Sequence, residues 1–176
     1  MKCRKCHSTA VINMRQHKLS LCRDCFLEWV TQRVQRTIEH FHMFSPGERV
    51  LVAVSGGKDS LSLWDILLRL GYEAEGLYIN VGVLDADYSN VSLQKLEQFA
   101  ATHGAHYHVV DVAAEYGLSV PEIARLKRGR NVCATCGLVK RHEMNRLACE
   151  GDYVALATGH NLDDEAAVLF QNTLNW

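Results

Sequence analysis

Between Val50 and Ser60 an apolar run, Val50-Leu51-Val52-Ala53-Val54, feeds straight into Ser55-Gly56-Gly57-Lys58-Asp59-Ser60. A helical pattern follows at Leu61, Leu63, Trp64, Leu67 and Leu68. A buried strand that turns through glycines into a helix N-terminus makes a cradle for a phosphate chain. Glycines let backbone N–H groups come close, hydroxyls donate, and the helix start favours negative charge. The common ATPase loop, G-x-x-x-x-G-K-[ST], does not fit, because Val52 stands where its first glycine belongs and Asp59 follows Lys58. G-x-G-x-x-G fails too. An ordinary glycine-rich turn is the competing explanation, and the flanking strand and helix patterns argue against it.

From Glu48 onward the pattern alternates. Strands are expected to end at Val54, to cover about Ala74 to Asn80 and Tyr107 to Asp111, and to return at Val154 to Ala157. Helices are expected from the glycine loop to about Leu70, over Ser89–His103, from Ser119-Val120-Pro121-Glu122, over Leu138–Cys149, and after Asp164. Asp85 and Asp87 are expected in a loop ahead of the second of these. The fold class is therefore α/β, a parallel doubly wound sheet with right-handed crossovers. In such sheets ligands sit at the carboxyl ends of the strands, at a switch point. At 176 residues, 48% hydrophobic and 22% charged, the chain has material for one such core and a small appendage. No apolar run approaches the ~20 residues of a membrane span, and no signal-peptide core follows the basic start.

The appendage is legible in the cysteines. Of seven, Cys3/Cys6 and Cys22/Cys25 form C-x2-C-x15-C-x2-C, a spacing that suits tetrahedral zinc in a segment too short to build a core unaided. Clustered pairs, an odd count and no secretion signal favour reduced thiols and a cytoplasmic chain over disulfides. Residues 1–25 are read as a zinc-binding knuckle, 26–44 as a connecting helix, and 45–176 as the catalytic domain. Whether the knuckle binds RNA or caps the domain stays open. The connecting helix carries Val30, Val34, Ile38 and Phe41 on one face, with Arg33 and Arg36 off it; His40 and His42 read as surface residues. Ser45-Pro46-Gly47 stops it.

The third pair, Cys133-Ala134-Thr135-Cys136-Gly137, has no second C-x-x-C at zinc spacing. It is expected in a loop close before a helix. Lys127, Arg128, Arg130, Lys140, Arg141 and Arg146 crowd around it, and that charge suits a phosphate-rich partner although the chain as a whole carries −1. A reactive sulfur or an exposed iron–sulfur ligand pair wants that setting; a buried structural pair is the bland alternative. Cys149, roughly 17 Å away along a continuous helix, is excluded as a third ligand. Lys140 is positioned to reach phosphates or a bound intermediate.

For the nucleotide, Ser55 and Ser60 offer hydroxyls, and Gly56 and Gly57 offer amides. Asp59 is assigned to Mg²⁺ or to ordering the turn. Ala53 and Ile79 lie at strand ends where backbone groups read an adenine edge. Gly159-His160-Asn161-Leu162-Asp163-Asp164 forms a second contact at a later strand end. Its carboxylates suit Mg²⁺ or helix capping, with Asp164 the first choice and Asp163 next. For His160 a structural or ribose contact is preferred to a general base, since nothing nearby identifies a partner.

A four-cysteine knuckle, VAVSGGKDS, a CxxCG pair followed by Lys140-Arg141, and GHNLDDEA occur here in one order. Together they resemble the tRNA 2-thiouridine synthetases of the TtuA type, which act on the T-loop methyluridine, and their wobble-uridine relatives, within the PP-loop ATP pyrophosphatases. The resemblance spans essentially the whole chain. It implies cleavage of ATP between its α and β phosphates, adenylation of the uracil C2 oxygen, and displacement of AMP by sulfur. That sulfur would come from a ubiquitin-like carrier protein with a C-terminal thiocarboxylate. By the same resemblance Cys3, Cys6, Cys22 and Cys25 match a zinc site. Cys133 and Cys136 match two of three cysteines that hold a [4Fe-4S] cluster whose fourth iron is left to bind sulfur. Lys140, Gly159 and Asp164 match ATP-site positions. Implied cofactors are ATP, Mg²⁺, Zn²⁺ and the cluster. tRNA is the implied partner, with no membrane, and a homodimer is compatible with the family.

Family members continue well over a hundred residues further, with the third cluster cysteine and a second zinc ribbon, so the resemblance implies a C-terminally truncated chain of low activity alone. Competing expectations are a wobble-uridine or cytidine thiolase, a PP-loop amide-forming or lysidine-type ligase in which the Cys pair is incidental, and a non-catalytic tRNA- or zinc-binding fragment.

Overall fold

The computed structural model describes residues 1–82, 86–126 and 131–174. Contacts divide the chain into two units, Met1–Ser45 and Pro46–Trp176.

In the first unit, β1 (Ile12–Met14) pairs antiparallel with β2 (Leu19–Leu21), and Lys18 takes a left-handed conformation to close the turn between them. Helix α1 (Arg23–His40) follows. It begins three residues earlier than the apolar periodicity indicates, so Cys25 sits in its first turn. It also ends earlier, because His42 takes φ of +49°. Of the expected apolar face, Ile38 is buried, while Phe41 falls past the helix end and is exposed. The core of this unit is Cys3, Met14 and Leu21, with Phe26 and Trp29 packed against it. That is too little apolar burial to hold a fold alone.

The second unit is a four-stranded parallel sheet. Its strands are β3 (Arg49–Ala53), β4 (Glu73–Asn80), β5 (Tyr107–Asp111) and β6 (Ala155–Thr158), in the order β5-β4-β3-β6. Around them run α2 (Lys58–Arg69), α3 (Ala86–His103), α4 (Val112–Tyr116), α5 (Val120–Leu126), α6 (Val132–Glu150) and α7 (Leu162–Leu174). The strand order reverses between β3 and β6, so the switch point lies where the glycine loop and the turn after β6 both emerge. Val50, Leu51, Val52, Trp64 and Leu77 are buried beneath it. Trp64 Nε1 donates to the Ala74 carbonyl at 3.0 Å, and its ring lies so close to Gly76 that a Cβ there would meet it at 2.6 Å. Only glycine fits at position 76.

At the opposite strand ends, Glu75 joins the strands. Arg49 Nε and Nη2 donate to its Oε1 at 3.2 and 2.9 Å, and Tyr153 Oη donates to Oε2 at 2.6 Å. His108 Nε2 lies 3.0 Å from Oε2. Burial alone would raise the Glu75 pKa, but the bonds from Tyr153, Arg49 and His108 outweigh it and hold the carboxyl down at about 2.

Two expectations are corrected here. The third cysteine pair is not in a loop ahead of a helix: α6 starts at Val132, and Asn131 Oδ1 caps it by accepting from the Cys133 N–H at 3.0 Å. An Asn before the pair is a capping signal that the apolar pattern alone does not carry. Likewise α3 already includes Asp87, while Asp85 and the basic residues Lys127, Arg128 and Arg130 lie outside the described residues. α7 is exposed at every described position, including Leu162, Leu169 and Phe170. Among the described residues no helix is long and apolar enough to cross a membrane.

Candidate functional site

At the carboxyl ends of β3, β4 and β6 a cavity of about 410 Å³ opens, within the usual range of small-molecule sites. Its floor is the glycine loop. Ser55, Gly57, Asp59 and Ser60 line it, with Ala53 and Ile79 from the strand ends. Gly56 does not line it. It takes φ of +76° and presses on the Ser92 backbone, where a Cβ would lie 2.8 Å from the carbonyl oxygen. Its role is to bring the loop against α3. The two serines also divide their work. Ser60 is buried, donates from Oγ to the Gly57 carbonyl at 3.1 Å and accepts the Ser55 N–H at 3.2 Å, closing the loop on itself. Ser55 and Gly57 stay exposed at the lip. Asp59 accepts from Lys58 Nζ on both oxygens, at 2.9 and 2.8 Å.

The second wall is the turn after β6. Gly159 lies against the first turn of α2, where a Cβ would meet Ser60 Cα and N at 2.8 Å. The two loops are thus locked backbone to backbone, which no side chain larger than hydrogen allows. Asn161 Oδ1 accepts from the N–H groups of Asp163 and Asp164 at 2.9 and 3.1 Å, and Asp164 Oδ2 accepts from the Asn161 N–H at 2.9 Å. This is a reciprocal capping box. It uses one oxygen of Asp164 and leaves the carboxylate on the cavity wall, while Asp163 is not among the lining residues. His160 does have a partner: its Nδ1 is 3.2 Å from Glu165 Oε1. Sequence reading missed it because Glu165 gains significance only once α7 brings it back toward His160.

The third wall is α6. Cys136, Lys140 and Met144 recur every four residues and all face the cavity. Cys136 is half-buried and packs with Val139 against Val112 and Val120. Cys133, one turn nearer the helix start, is exposed and is not a lining residue. Cys149, also exposed, is about 20 Å further along the axis from Cys136. One buried group orients α6 and was not anticipated. Glu143 is fully buried, accepting from Tyr116 Oη at 2.6 Å and from Arg146 Nη2 and Nε at 2.7 and 3.0 Å. Burial opposes its charge, but these bonds prevail and its pKa is lowered.

In the N-terminal unit the sulfur atoms of Cys3, Cys6, Cys22 and Cys25 all lie within 4.8 Å of one another, the only such donor cluster among the described residues. Sulfur atoms around a tetrahedral zinc are about 3.8 Å apart, so the donors present fit that ion. Backbone hydrogen bonds, chiefly from the Cys6 amide, pull Cys3 down to about 6. Cys22 is lowered as well, by the Ser8 hydroxyl first, while Cys25 is raised by its hydrogen bond to Cys22 and by burial. Thiolate character of the kind seen at Cys3 and Cys22 is what a metal requires. For an iron–sulfur cluster the fit is incomplete: Cys133 and Cys136 are two thiols, and no third stands beside them among the described residues.

Comparison with known proteins agrees with this geometry. Residues 2–27 match the N-terminal LIM domain of the 2-thiouridine synthetase TtuA, and residues 30–173 match the PP-loop domain. The tRNA-5-methyluridine(54) 2-sulfurtransferase of Thermus thermophilus is 51% identical over 99% of this chain and 54% of its own length. That of Thermotoga maritima is 43% identical over 100% and 57%. The structure of the U34-tRNA thiolase NcsA from Methanococcus maripaludis, solved with its [4Fe-4S] cluster, superposes with a TM-score of 0.85 at 25% identity, covering 99% of this chain and 58% of that one. The chain spans about half the length of the curated relatives it matches. Over residues 30–173 the chain belongs to the PP-loop family, and residues 2–27 match the TtuA N-terminal LIM domain.

Proposed function

We propose that this chain carries the nucleotide-activating part of an ATP-dependent tRNA uridine 2-thiolation enzyme of the cytoplasm. The observation that carries the reading is the shared cavity: a glycine loop suited to a triphosphate faces Lys140 and Cys136 across about 410 Å³. Gly57 and Ser55 would hold phosphate oxygens, with Gly56 shaping the loop and Ser60 closing it. Ala53 and Ile79 would take the adenine. Asp59 or Asp164 would carry Mg²⁺, and Lys140 would neutralise charge developing on the α-phosphate. Gly159 keeps the two loops in contact. The uridine C2 oxygen attacks the α-phosphorus, pyrophosphate leaves, and the adenylated carbon becomes open to sulfur.

Sulfur handling is assigned to Cys133 and Cys136, as two thiolate ligands of an iron–sulfur cluster that, when complete, would present sulfide at the cavity. Zn²⁺ is assigned to Cys3, Cys6, Cys22 and Cys25. A ubiquitin-like carrier as donor and a homodimeric assembly belong to the same proposal.

The T-loop methyluridine is favoured over the wobble uridine. The match at residues 2–27 is to the TtuA-type domain, and identity to the methyluridine(54) enzymes reaches 51% against 25% for the wobble enzyme of similar fold. Mass spectrometry of tRNA from a strain lacking the gene tests this. Loss of 2-thio-5-methyluridine supports the reading, loss of a wobble 2-thiouridine transfers it to the alternative target, and an unchanged thionucleoside profile removes both.

A further inference from the structure

The turn after β6 holds an imidazole with a carboxylate behind it. His160 lines the cavity, and its Nδ1 lies 3.2 Å from Glu165 Oε1 and 3.5 Å from Thr158 Oγ1. A carboxylate at Nδ1 keeps the proton on that nitrogen, which leaves the lone pair on Nε2. The backbone beneath is fixed on both sides: Gly159 is pressed against Ser60, and Asn161 and Asp164 cap each other. The imidazole is therefore carried on a turn that is pinned to the start of the glycine loop.

The proposed uridine activation, on which this inference rests, has a proton to dispose of. When the C2 oxygen of a uracil bonds to phosphorus, the ring passes from an N3–H lactam to an O-phosphorylated imidate, and N3 must lose its hydrogen. We infer that His160 is the base that accepts it, with Glu165 as the residue that positions the ring. In this step the O2–Pα bond forms and the bond from Pα to the β-bridging oxygen breaks. Pyrophosphate leaves with that electron pair, and the N3 proton passes to His160 Nε2. Glu165 faces the Nδ1 side of the ring throughout, and the proton goes to water after pyrophosphate departs. Nothing is oxidised or reduced. The other titratable groups on the cavity walls are Asp59, Tyr78, Cys136, Lys140 and Asp164, and the Tyr78 hydroxyl donates to the Ser89 carbonyl at 3.0 Å. Both oxygens of Asp59 accept from Lys58, and one oxygen of Asp164 accepts from the Asn161 amide, so each carboxylate already has a donor in its place.

The test has two arms. In the first, pyrophosphate release from ATP is followed after adding tRNA that lacks the 2-thio group, with wild type, His160→Ala and Glu165→Gln. His160→Ala should lose about 100-fold or more in rate with KM for ATP unchanged, and added imidazole should restore part of it. Glu165→Gln should lose about 10-fold, again with KM for ATP unchanged, because the ring loses the carboxylate that positions it. A His160→Ala variant that keeps its rate, or that added imidazole does not rescue, overturns the inference. If wild type itself shows no tRNA-dependent release, the activation reading fails instead. The second arm needs no turnover: ¹⁵N NMR of the His160 ring should show the Nδ1–H tautomer in wild type, with loss of that preference in Glu165→Gln. An Nε2–H tautomer in wild type overturns the inference whatever the activity.

Discussion

At Cys3, Cys6, Cys22 and Cys25 four sulfur atoms already converge within 4.8 Å, and one of them, Cys3, is the buried centre of a core with only two other fully buried members. At Cys133 and Cys136 the same C-x-x-C spacing lies along one helix, with the first thiol exposed and the second half-buried on a sheet domain that has its own core. The spacing is identical and the physical situation is opposite. In the knuckle the sulfurs are the structure, so the metal and the fold stand or fall together. On α6 the scaffold exists without them.

The largest effect expected from breaking this contrast is on the knuckle. On the proposed zinc assignment, Cys3→Ser, or a chelator, should unfold residues 1–45, because a structural zinc of this type supplies ~10–16 kcal/mol of apparent binding free energy. Hydrogen exchange resolved over that segment, together with released zinc, reads it; protection that survives in the metal-free chain would show that the small core suffices.

Next comes the sheet domain's own stability, which should rest on pairs unrelated to sulfur. Glu75 has its folded pKa depressed to about 2 from the usual 4.5, so its contribution is complete above 4.5 and is lost as pH falls toward 2. Glu75→Gln should therefore cost roughly 3 kcal/mol at neutral pH and progressively less below pH 4.5. Urea melts at several pH values measure this, and parallel stability curves for the two proteins would contradict it. Gly159→Ala should follow, at about 1–3 kcal/mol from overpacking, with weaker ATP binding as the two loops separate. Calorimetric titration with ATP separates that loss from simple destabilisation. The smallest expected change is in Cys133→Ser, within about 0.5 kcal/mol of wild type in stability. On the proposed sulfur-handling role, sulfur transfer should nevertheless be lost in that variant. A large stability loss there would erase the contrast between the pairs.

The parallel sheet and the order of its loops were readable because β3, buried over Val50–Val52, leaves a continuous apolar run and glycine loops punctuate the alternation of strands and helices. Helix ends were less readable where a polar cap rather than apolar periodicity decides them, as at Asn131. Contacts between distant segments were not legible at all. Nothing near Glu143 in sequence points to Tyr116 as its partner, and nothing in Gly56 reveals that the Ser92 backbone packs against it. His160 illustrates the same limit, since a residue that seemed unpartnered gains Glu165 only after the chain turns into α7.

The two tryptophans that the fold places in different units have an optical consequence. Trp29 stands 5.1 Å from His17 in the knuckle, with the Arg33 guanidinium 5.5 Å from its ring. Trp64 is sealed beneath the helix that starts at the glycine loop. One indole is thus exposed to quenching by a cation and an imidazole, while the other emits from a dry, rigid setting. In a Trp176→Phe background the chain carries a separate intrinsic fluorophore for each unit. Metal loss and nucleotide binding would then be distinguishable by emission colour and lifetime in a single unlabelled sample.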